Sequence, residues 1–378
     1  MLKTQEYLRN PKHSLELLEK THDIRIREHD SLPLVILNYG IDSRKTNPIA
    51  MECRGLVLEK DTWNIVAKGF NRFFNWGEVQ TERSKFKWND CIVQSKEDGS
   101  LGLLYFYDGQ WRFNTRGSFG QEYLPYGGMT WTELFCQAIG IDALQDLKNK
   151  QHLKINYTYV FELVSPYNQV VRQYPQPSVY LLSIFDGLRE LTDTQYYGES
   201  LRLRSFSKLN MQLPNMWQFD KIEQVQNHVL EMSKKDKTFE GVVIRDIHNR
   251  RWKIKSAEYV SLHRLKGNGD NLFNPKFHIK FILSGEIDEV IGYFPLIEDS
   301  IKETKSVMDH ELQALEKIWE SSYGIQDQKE FAMTVLPQTK FASILFKIRK
   351  KYGEIQTVEY VKDEWGNSEN IIYKTLFK

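Results

Sequence analysis

A lysine followed by two acidic residues and a glycine, Lys96-Glu97-Asp98-Gly99-Ser100, lies between two apolar runs, Cys91 to Val93 and the run that begins at Leu101. Runs of that composition read as strands, so the lysine occupies the turn between them and can be presented to a cleft. A lysine amine attacks phosphorus only as the neutral base, which requires desolvation or neighbouring cations to lower its pKa. Cations stand at Arg251-Trp252-Lys253-Ile254-Lys255. In a strand, period two puts Lys253 and Lys255 on one face, where they could both depress a third amine and hold a triphosphate. The same alternation also describes a solvated edge strand that discourages aggregation, and taken alone the segment leaves both readings open. Glu162 and Glu240 each fall within an apolar run, Tyr157 to Val164 and Phe239 to Ile244. A carboxylate there is costly unless it meets a cation or hydrogen-bond donors, so each either faces a cleft or closes a structural salt bridge.

These residues need a scaffold, and from about Cys91 to Lys255 the chain reads mostly as strands, short β-branched and aromatic runs separated by turn signals. One hairpin is clear: Leu101 to Tyr107, the two-residue turn Asp108-Gly109, and a return on which Trp111, Phe113 and Thr115 alternate with polar neighbours. Further strands are expected at Tyr157 to Val164, Val179 to Phe185 and Gly241 to Ile244. Beyond about Asn274 the period changes to that of helices, with Met308, Leu312, Leu315 and Trp319 forming one apolar stripe and Phe341, Leu345 and Ile348 another. Between residues 258 and 275, Gly267, Asn268, Gly269, Asp270, Asn271 and Pro275 interrupt both patterns. The expectation is an α+β body over residues 1–258 followed by an all-helical domain over 259–378.

Composition narrows the partners. With 51 basic and 50 acidic residues the net charge is +1, so a nucleic-acid surface would have to be a local patch. The three cysteines, Cys53, Cys91 and Cys136, are widely spaced and read as buried thiols rather than as a disulfide framework or a zinc site. No signal peptide and no membrane-spanning apolar run is apparent, which points to a cytoplasmic protein without a membrane partner. Walker A, Gly-x-Gly-x-x-Gly and His-Glu-x-x-His motifs are absent from the sequence.

Taken in order, Lys96-Glu97-Asp98-Gly99, Phe161-Glu162-Leu163, Phe239-Glu240-Gly241-Val242-Val243-Ile244 and Trp252-Lys253-Ile254-Lys255 resemble motifs I, III, IV and V of the covalent nucleotidyltransferase superfamily. That superfamily includes RNA ligases, DNA ligases and messenger RNA capping enzymes. Upstream, Glu52-Cys53-Arg54-Gly55 and Arg72-Phe73-Phe74-Asn75 are similar to the leader segments of phage tRNA-repair RNA ligases, the first RNA ligase of T-even phages among them. Together with Thr115-Arg116-Gly117-Ser118 and Lys255-Ser256-Ala257-Glu258-Tyr259, the likeness spans about residues 50 to 260.

The resemblance implies a nucleotidyltransferase fold with antiparallel sheets flanked by helices, in which Lys96 attacks ATP, releases pyrophosphate and holds AMP. The AMP then passes to an RNA 5′-phosphate, and a 3′-hydroxyl displaces it. It implies that Arg54 and Arg72 contact phosphate, for which an arginine fork is suited, and that Phe74 stacks near the nucleotide, although an ordinary core aromatic would look the same in sequence. Glu162, Glu240, Lys253 and Lys255 complete the nucleotide site, and Mg²⁺ would be held by Asp98, Glu162 and Glu240, since that ion keeps several waters and takes a few carboxylates. The family often carries lysine where this chain has Arg116, and the register around Tyr39 is too loose to give it a role. His263 is a lone histidine with no assigned part.

Implied partners are RNA, as single-stranded ends or a broken tRNA anticodon loop, and a separate end-healing polynucleotide kinase, in the cytoplasm of a phage-infected bacterial host. Arg349, Lys350 and Lys351 would either track RNA phosphates or simply close a solvated helix end. Two rival readings share the motifs. A DNA ligase or capping enzyme would continue into a strand-rich domain rather than helices, and a non-catalytic RNA-binding relative would not be expected to keep Lys96, Glu162, Glu240, Lys253 and Lys255 together.

Overall fold

The computed structural model describes residues 1–40, 42–78, 84–124, 127–149, 153–206, 208–266, 273–285, 287–293, 297–352 and 358–378. The chain divides into two compact units, Met1–Ser261 and Leu262–Lys378. The interrupted segment Gly267 to Asn271 lies outside the described residues, and so does the side chain of His263.

The first unit opens with helices α1 (Lys3–Leu8), α2 (Leu15–His22) and α3 (Pro48–Glu52) around an antiparallel sheet of β1 (Ile24–Glu28), β2 (Leu34–Tyr39), β3 (Arg54–Glu59) and β4 (Ile65–Ala67), in that spatial order. Strand periodicity decides which face meets what. Ile24, Val35, Leu37, Leu56 and Leu58 pack with Leu8, Leu18 and Ala50 of the helices, whereas Leu34, Ile36 and Val57 join Leu103, Tyr105 and Val160 of the next sheet. Glu52, the last residue of α3, ties α3 to α1 by accepting hydrogen bonds from Lys3 N, Thr4 N and Thr4 Oγ1 at 2.8–3.0 Å.

The remaining strands are β5 (Phe74–Asn75), β6 (Ile92–Ser95), β7 (Ser100–Tyr107), β8 (Gln110–Thr115), β9 (Tyr157–Val164), β10 (Ser178–Asp186), β11 (Arg189–Glu190), β12 (Met216–Gln218), β13 (Gly241–Arg245) and β14 (Arg251–Lys255). They form two five-stranded sheets, β11-β10-β9-β7-β8 and β12-β6-β13-β14-β5, antiparallel except where β5 lies parallel to β14. The expected hairpin is present: Tyr107 pairs with Gln110 across Asp108 and Gly109, both at positive φ as a tight two-residue turn demands. The sequence pattern did not separate out the helices α4 (Trp131–Ile139), α5 (Asp193–Phe206) and α6 (Ile222–Lys235) from the strands around them. Helix α4 is bounded by a Thr130/Glu133 capping box and by Gly140 in the left-handed region, and it buries Leu134, Phe135, Ala138 and Ile139 against β7 to β10.

Helix α7 (Ala257–Lys266) follows β14. The described elements wholly beyond it are all helices: α8 (Pro275–Ser284), α9 (Ile287–Tyr293), α10 (Glu298–Ser322), α11 (Gln328–Val335), α12 (Ala342–Tyr352), α13 (Glu359–Gly366) and α14 (Glu369–Leu376). Met308, Leu315 and Trp319 of α10 meet Phe341, Leu345 and Ile348 in one core, as the two apolar stripes require. In the basic cluster that ends α12, Arg349 donates to the carbonyls of Ile325 and Gln326 and stacks on Phe331, which spends its fork inside the unit. Lys350 and Lys351 are exposed.

Candidate active site

Lys96 follows β6 directly, and its backbone N–H donates to the carbonyl of Gly241, the first residue of β13, at 2.9 Å. Two glycines make the approach possible. A Cβ on Gly99 would stand 2.4 Å from the carbonyl oxygen of Leu163, so only glycine lets the lysine turn run against β9, where Glu162 lies. Gly241 has φ +132°, and a Cβ there would meet Ile254 O at 2.1 Å. Glu240, the residue before β13, is thereby brought between the lysines of two strands: its Oε2 accepts from Lys96 Nζ at 2.7 Å and its Oε1 pairs with Lys255 Nζ at 2.8 Å.

The turn itself is pinned by its own acidic residues. Glu97 Oε1 accepts from Ser95 Oγ at 2.7 Å and Oε2 from the Tyr174 hydroxyl at 3.2 Å. Asp98 Oδ2 accepts from the backbone N–H groups of Val171 and Arg172, both at 2.7 Å, and Oδ1 from the Tyr259 hydroxyl at 2.7 Å. This corrects the expectation for Asp98. Buried and with both oxygens engaged, it braces the turn and does not face the cleft as a metal ligand. Tyr259 in the segment after Lys255 thereby acquires a structural reason.

The cleft beside Lys96 has a volume of about 700 Å³. Lys96, Arg54, Glu162, Lys253 and Lys255 all line it, so the structure brings together five of the expected site residues. Strand β14 alternates as expected: Trp252 and Ile254 are buried, and Lys253 and Lys255 share the opposite side. Arg54 lies over the Phe73 ring at 4.5 Å, and its buried Nε and Nη1 have no hydrogen-bond partner among the described residues, an arrangement that leaves donors ready for an oxyanion.

Two expectations move by one or more positions. Phe74 is buried in a core with Phe86, Val93, Val242 and Trp252, because β5 pairs Phe74 with Trp252 and directs it inward. Its neighbour Phe73 lines the cleft and carries Arg54 and Lys253 over its ring. Arg72 does not line the cleft. It donates to Ser43 Oγ at 2.6 Å and lies over the Tyr39 ring at 4.2 Å, holding that tyrosine from behind. Tyr39 and Arg116 do line it, joined by a 3.4 Å hydrogen bond from the guanidinium to the phenol oxygen. Sequence reasoning gave Phe73 no role of its own and left Tyr39 without one because its register was too loose. Their positions depend on strand pairing between segments far apart in the chain, and the aromatic doublet Phe73-Phe74 was the one available signal.

Charge shapes protonation here. Burial disfavours the charged form of Lys96, but Glu240 and Glu162 outweigh it and the amine stands above its ordinary pKa. That reverses the expected depression for the free protein, because a carboxylate at 2.7 Å overrides the nearby cations. Among the described residues Lys253 makes no such ion pair. Burial, then the charges of Arg54, Lys96 and Lys255, push it down to about 8. Glu240 is held below the usual carboxylate range, since Lys96 and Lys255 overcome the cost of its burial. Glu162 is pushed up to about 7 by burial, with the charge of Glu240 adding to it. Glu162 makes no hydrogen bond or ion pair among the described residues. No cluster of three or more histidine, cysteine, aspartate or glutamate side chains able to hold a metal occurs among the described residues. One free cleft carboxylate still suits Mg²⁺, which binds through one or two carboxylates plus substrate phosphates and water.

Comparison with known proteins places these features in a lineage. A protein of Autographa californica nuclear polyhedrosis virus, named for both polynucleotide kinase and RNA ligase, is 29% identical over 294 residues, covering 74% of this chain and 40% of its own length. An RNA ligase of Rhodothermus phage RM378 is 24% identical over 388 aligned positions, covering 88% of this chain and 84% of that one. Among solved structures, an archaeal ATP-dependent RNA ligase aligns over 93% of this chain and 94% of its own at 12% identity, with a TM-score of 0.45, too low for detail to be carried across. No helix among the described residues is long and apolar enough to cross a membrane. The family model for RNA ligase matches residues 52–276, more than half of the sequence and every site residue described above except Tyr39, and this chain therefore belongs to the RNA ligase family.

Proposed function

We propose that the protein is an ATP-dependent RNA ligase in which Lys96 carries AMP covalently. The observation that carries this reading is the placement of the Lys96 amine, paired with Glu240, at a cleft whose Arg54 keeps two buried N–H donors without partners. A triphosphate entering the cleft would satisfy Arg54 and Lys253 and compete with Glu240 for Lys255. Lys96 must lose a proton to solvent before it attacks, and Glu240, the acceptor of its hydrogen bond, holds Nζ in place. Nζ then forms a bond to the α-phosphorus, the bond from that phosphorus to the bridging oxygen breaks, and pyrophosphate leaves with the electron pair. Glu162, with phosphate oxygens, would hold Mg²⁺, which supplies positive charge where the transferring phosphate gathers negative charge. Glu240 is occupied by two lysines in the free protein, so Glu162 is the better ligand.

Adenylate would pass from Lys96 to an RNA 5′-phosphate, and a 3′-hydroxyl would displace it. We assign single-stranded RNA ends as the substrate, such as those of a broken tRNA anticodon loop, with the 5′-phosphate supplied by a polynucleotide kinase. Support comes from the motif likeness to tRNA-repair ligases and from the viral relative whose name joins both activities. We assign RNA choice to the helical unit, Leu262–Lys378. The test is to mix pyrophosphate-free protein with Mg²⁺ and ATP labelled on the α-phosphate, without RNA, and to look for label on a denaturing gel. Label on wild type and none on Lys96→Ala is expected. Unlabelled wild type, after discharge of any bound adenylate, would refute the reading. Competition between RNA ends and nicked DNA in the transfer step identifies the polynucleotide.

A further inference from the structure

Beyond Arg54 the cleft has an outer wall to which the adenylylation step above assigns no role. On β1, Arg25 pairs with Asn38 of β2, and Asn38 pairs in turn with Arg54 of β3. Residues paired across strands share a face, so Arg54, Asn38 and Arg25 form a row that leads outward from the reaction centre to the sheet edge. Strands lie about 4.8 Å apart, which puts the ends of the row roughly 10 Å apart. All three residues line the cleft, and so does Trp131 at the start of α4.

Three features mark this wall as built for a ligand. Asn38 is only 8% exposed, yet its Oδ1 has no hydrogen-bond partner among the described residues, a cost that a ligand O–H or N–H would remove. Arg25 is exposed and makes no hydrogen bond or ion pair among the described residues. Trp131 is backed by the core of the second sheet and keeps a remaining face on the cleft. A cation, a neutral acceptor and a second cation at strand spacing match phosphate, sugar and phosphate along a polynucleotide. An indole offers a base a stacking surface, for which pyrophosphate has no use.

We infer that the β1 edge and Trp131 form the subsite for the 5′-phosphorylated RNA strand. Arg25 holds a backbone phosphate, Asn38 Oδ1 accepts from a ribose hydroxyl, and Trp131 stacks a base. The inference rests on the ligase reading. The rival account is that Arg25 merely keeps a sheet edge soluble.

The two are separated by preparing wild type, Arg25→Ala, Trp131→Ala and Trp131→Phe with labelled AMP on Lys96 and following single-turnover transfer to a 5′-phosphorylated oligoribonucleotide. In Arg25→Ala and Trp131→Ala the RNA concentration for half-maximal transfer should rise about 10-fold, and Trp131→Phe should restore most of the loss. For Arg25→Ala, the slope of log affinity against log salt should fall by about 0.7, whereas for Trp131→Ala it should not change. The KM for ATP in adenylylation should move less than twofold in either. A raised KM for ATP in Arg25→Ala with normal transfer would overturn the inference, because the edge would then hold the triphosphate tail; no change in either step would leave a solubilised edge. Fluorescence anisotropy with the same oligonucleotide separates the two proposals. If wild type never takes up AMP but Arg25→Ala and Trp131→Ala still weaken RNA binding, the ligase reading fails and the subsite stands. If wild type takes up AMP and neither variant weakens RNA binding, only the subsite fails.

Discussion

The turn that carries Lys96 and the row that runs from Arg54 to Arg25 border the same cleft but treat their polar atoms in opposite ways. In the turn, both oxygens of Glu97 and both of Asp98 accept hydrogen bonds from groups around them. In the row, Arg54 Nε, Arg54 Nη1 and Asn38 Oδ1 are buried without partners among the described residues. An unsatisfied buried group costs about 1–3 kcal/mol, a cost that a ligand reaching the row would remove. At this cleft the turn that fixes geometry is satisfied from within, and the row proposed to meet the substrate is left open. Mutations in the first class should act on stability and those in the second on binding.

Phe73 and Phe74 test that division with the side chain held constant. Phe74→Ala empties a core position beside Trp252 and should lower stability by about 3–5 kcal/mol, read from denaturant midpoints. Phe73→Ala takes the ring from beneath Arg54 and Lys253 and should raise the KM for ATP with a smaller stability loss. If Phe74→Ala were the variant with the larger KM change at unchanged stability, Phe74 would be the stacking residue after all and β5 would be turned over.

Arg54 and Asp98 sharpen the contrast across charge types. Arg54→Ala should cut adenylylation about 10²–10³-fold, the usual penalty for a lost donor to developing phosphate charge, while the melting temperature holds or rises because an unpaired buried cation is gone. Asp98→Asn can keep an acceptor for the Val171 and Arg172 N–H groups only by turning its N–H₂ to the Tyr259 hydroxyl, which must then accept rather than donate, and loss of the charged acceptor should cost about 1–3 kcal/mol of stability. Its Mg²⁺ requirement should be unchanged. A higher Mg²⁺ requirement with an unchanged melting temperature would make Asp98 a metal ligand rather than a brace.

The same distinction explains what was legible in the sequence. The hairpin at Asp108-Gly109, the face of Lys253 and Lys255 and the helical stripes of α10 and α12 depend on local periodicity and turn chemistry, and they appear where the pattern put them. The roles of Lys96, Arg54, Glu162 and Glu240 came from motif order, and the structure gathers all four at one place. Which aromatic of Phe73-Phe74 faces the cleft is set by a two-residue parallel pairing with β14, about 180 positions later in the chain. Asp98 looked like a metal ligand because an acidic residue in a motif carries no sign of the Val171 and Arg172 amides waiting for it. One helix of the first unit was hidden for a related reason: α5, where Leu201 and Leu203 alternate with Arg202 and Arg204, has almost no apolar stripe to read.

Glu162 gives the smallest of these effects and the most specific. Burial puts its pKa near 7, and the open row beside it offers Arg54 as a partly compensating charge. As a metal ligand it must be ionised, so adenylylation should fall toward about tenfold per pH unit below 7 and level off above it. Lys253, at about 8, loses its charge as the pH rises further, which should turn the profile down again. For stability the sign is the other way. The folded pKa exceeds the unfolded value of roughly 4.3, so the protonated carboxyl favours the fold; that contribution is full below about pH 4.3 and is lost as the pH rises through 7. Glu162→Gln should therefore gain melting temperature relative to wild type between pH 5 and 8, at the expense of adenylylation at every pH and with no acid limb in the profile. If the acid limb near 7 persisted in Glu162→Gln, the titrating group would lie elsewhere. Glu162 would then belong with Asp98 among the residues that hold the site together and would not touch the substrate.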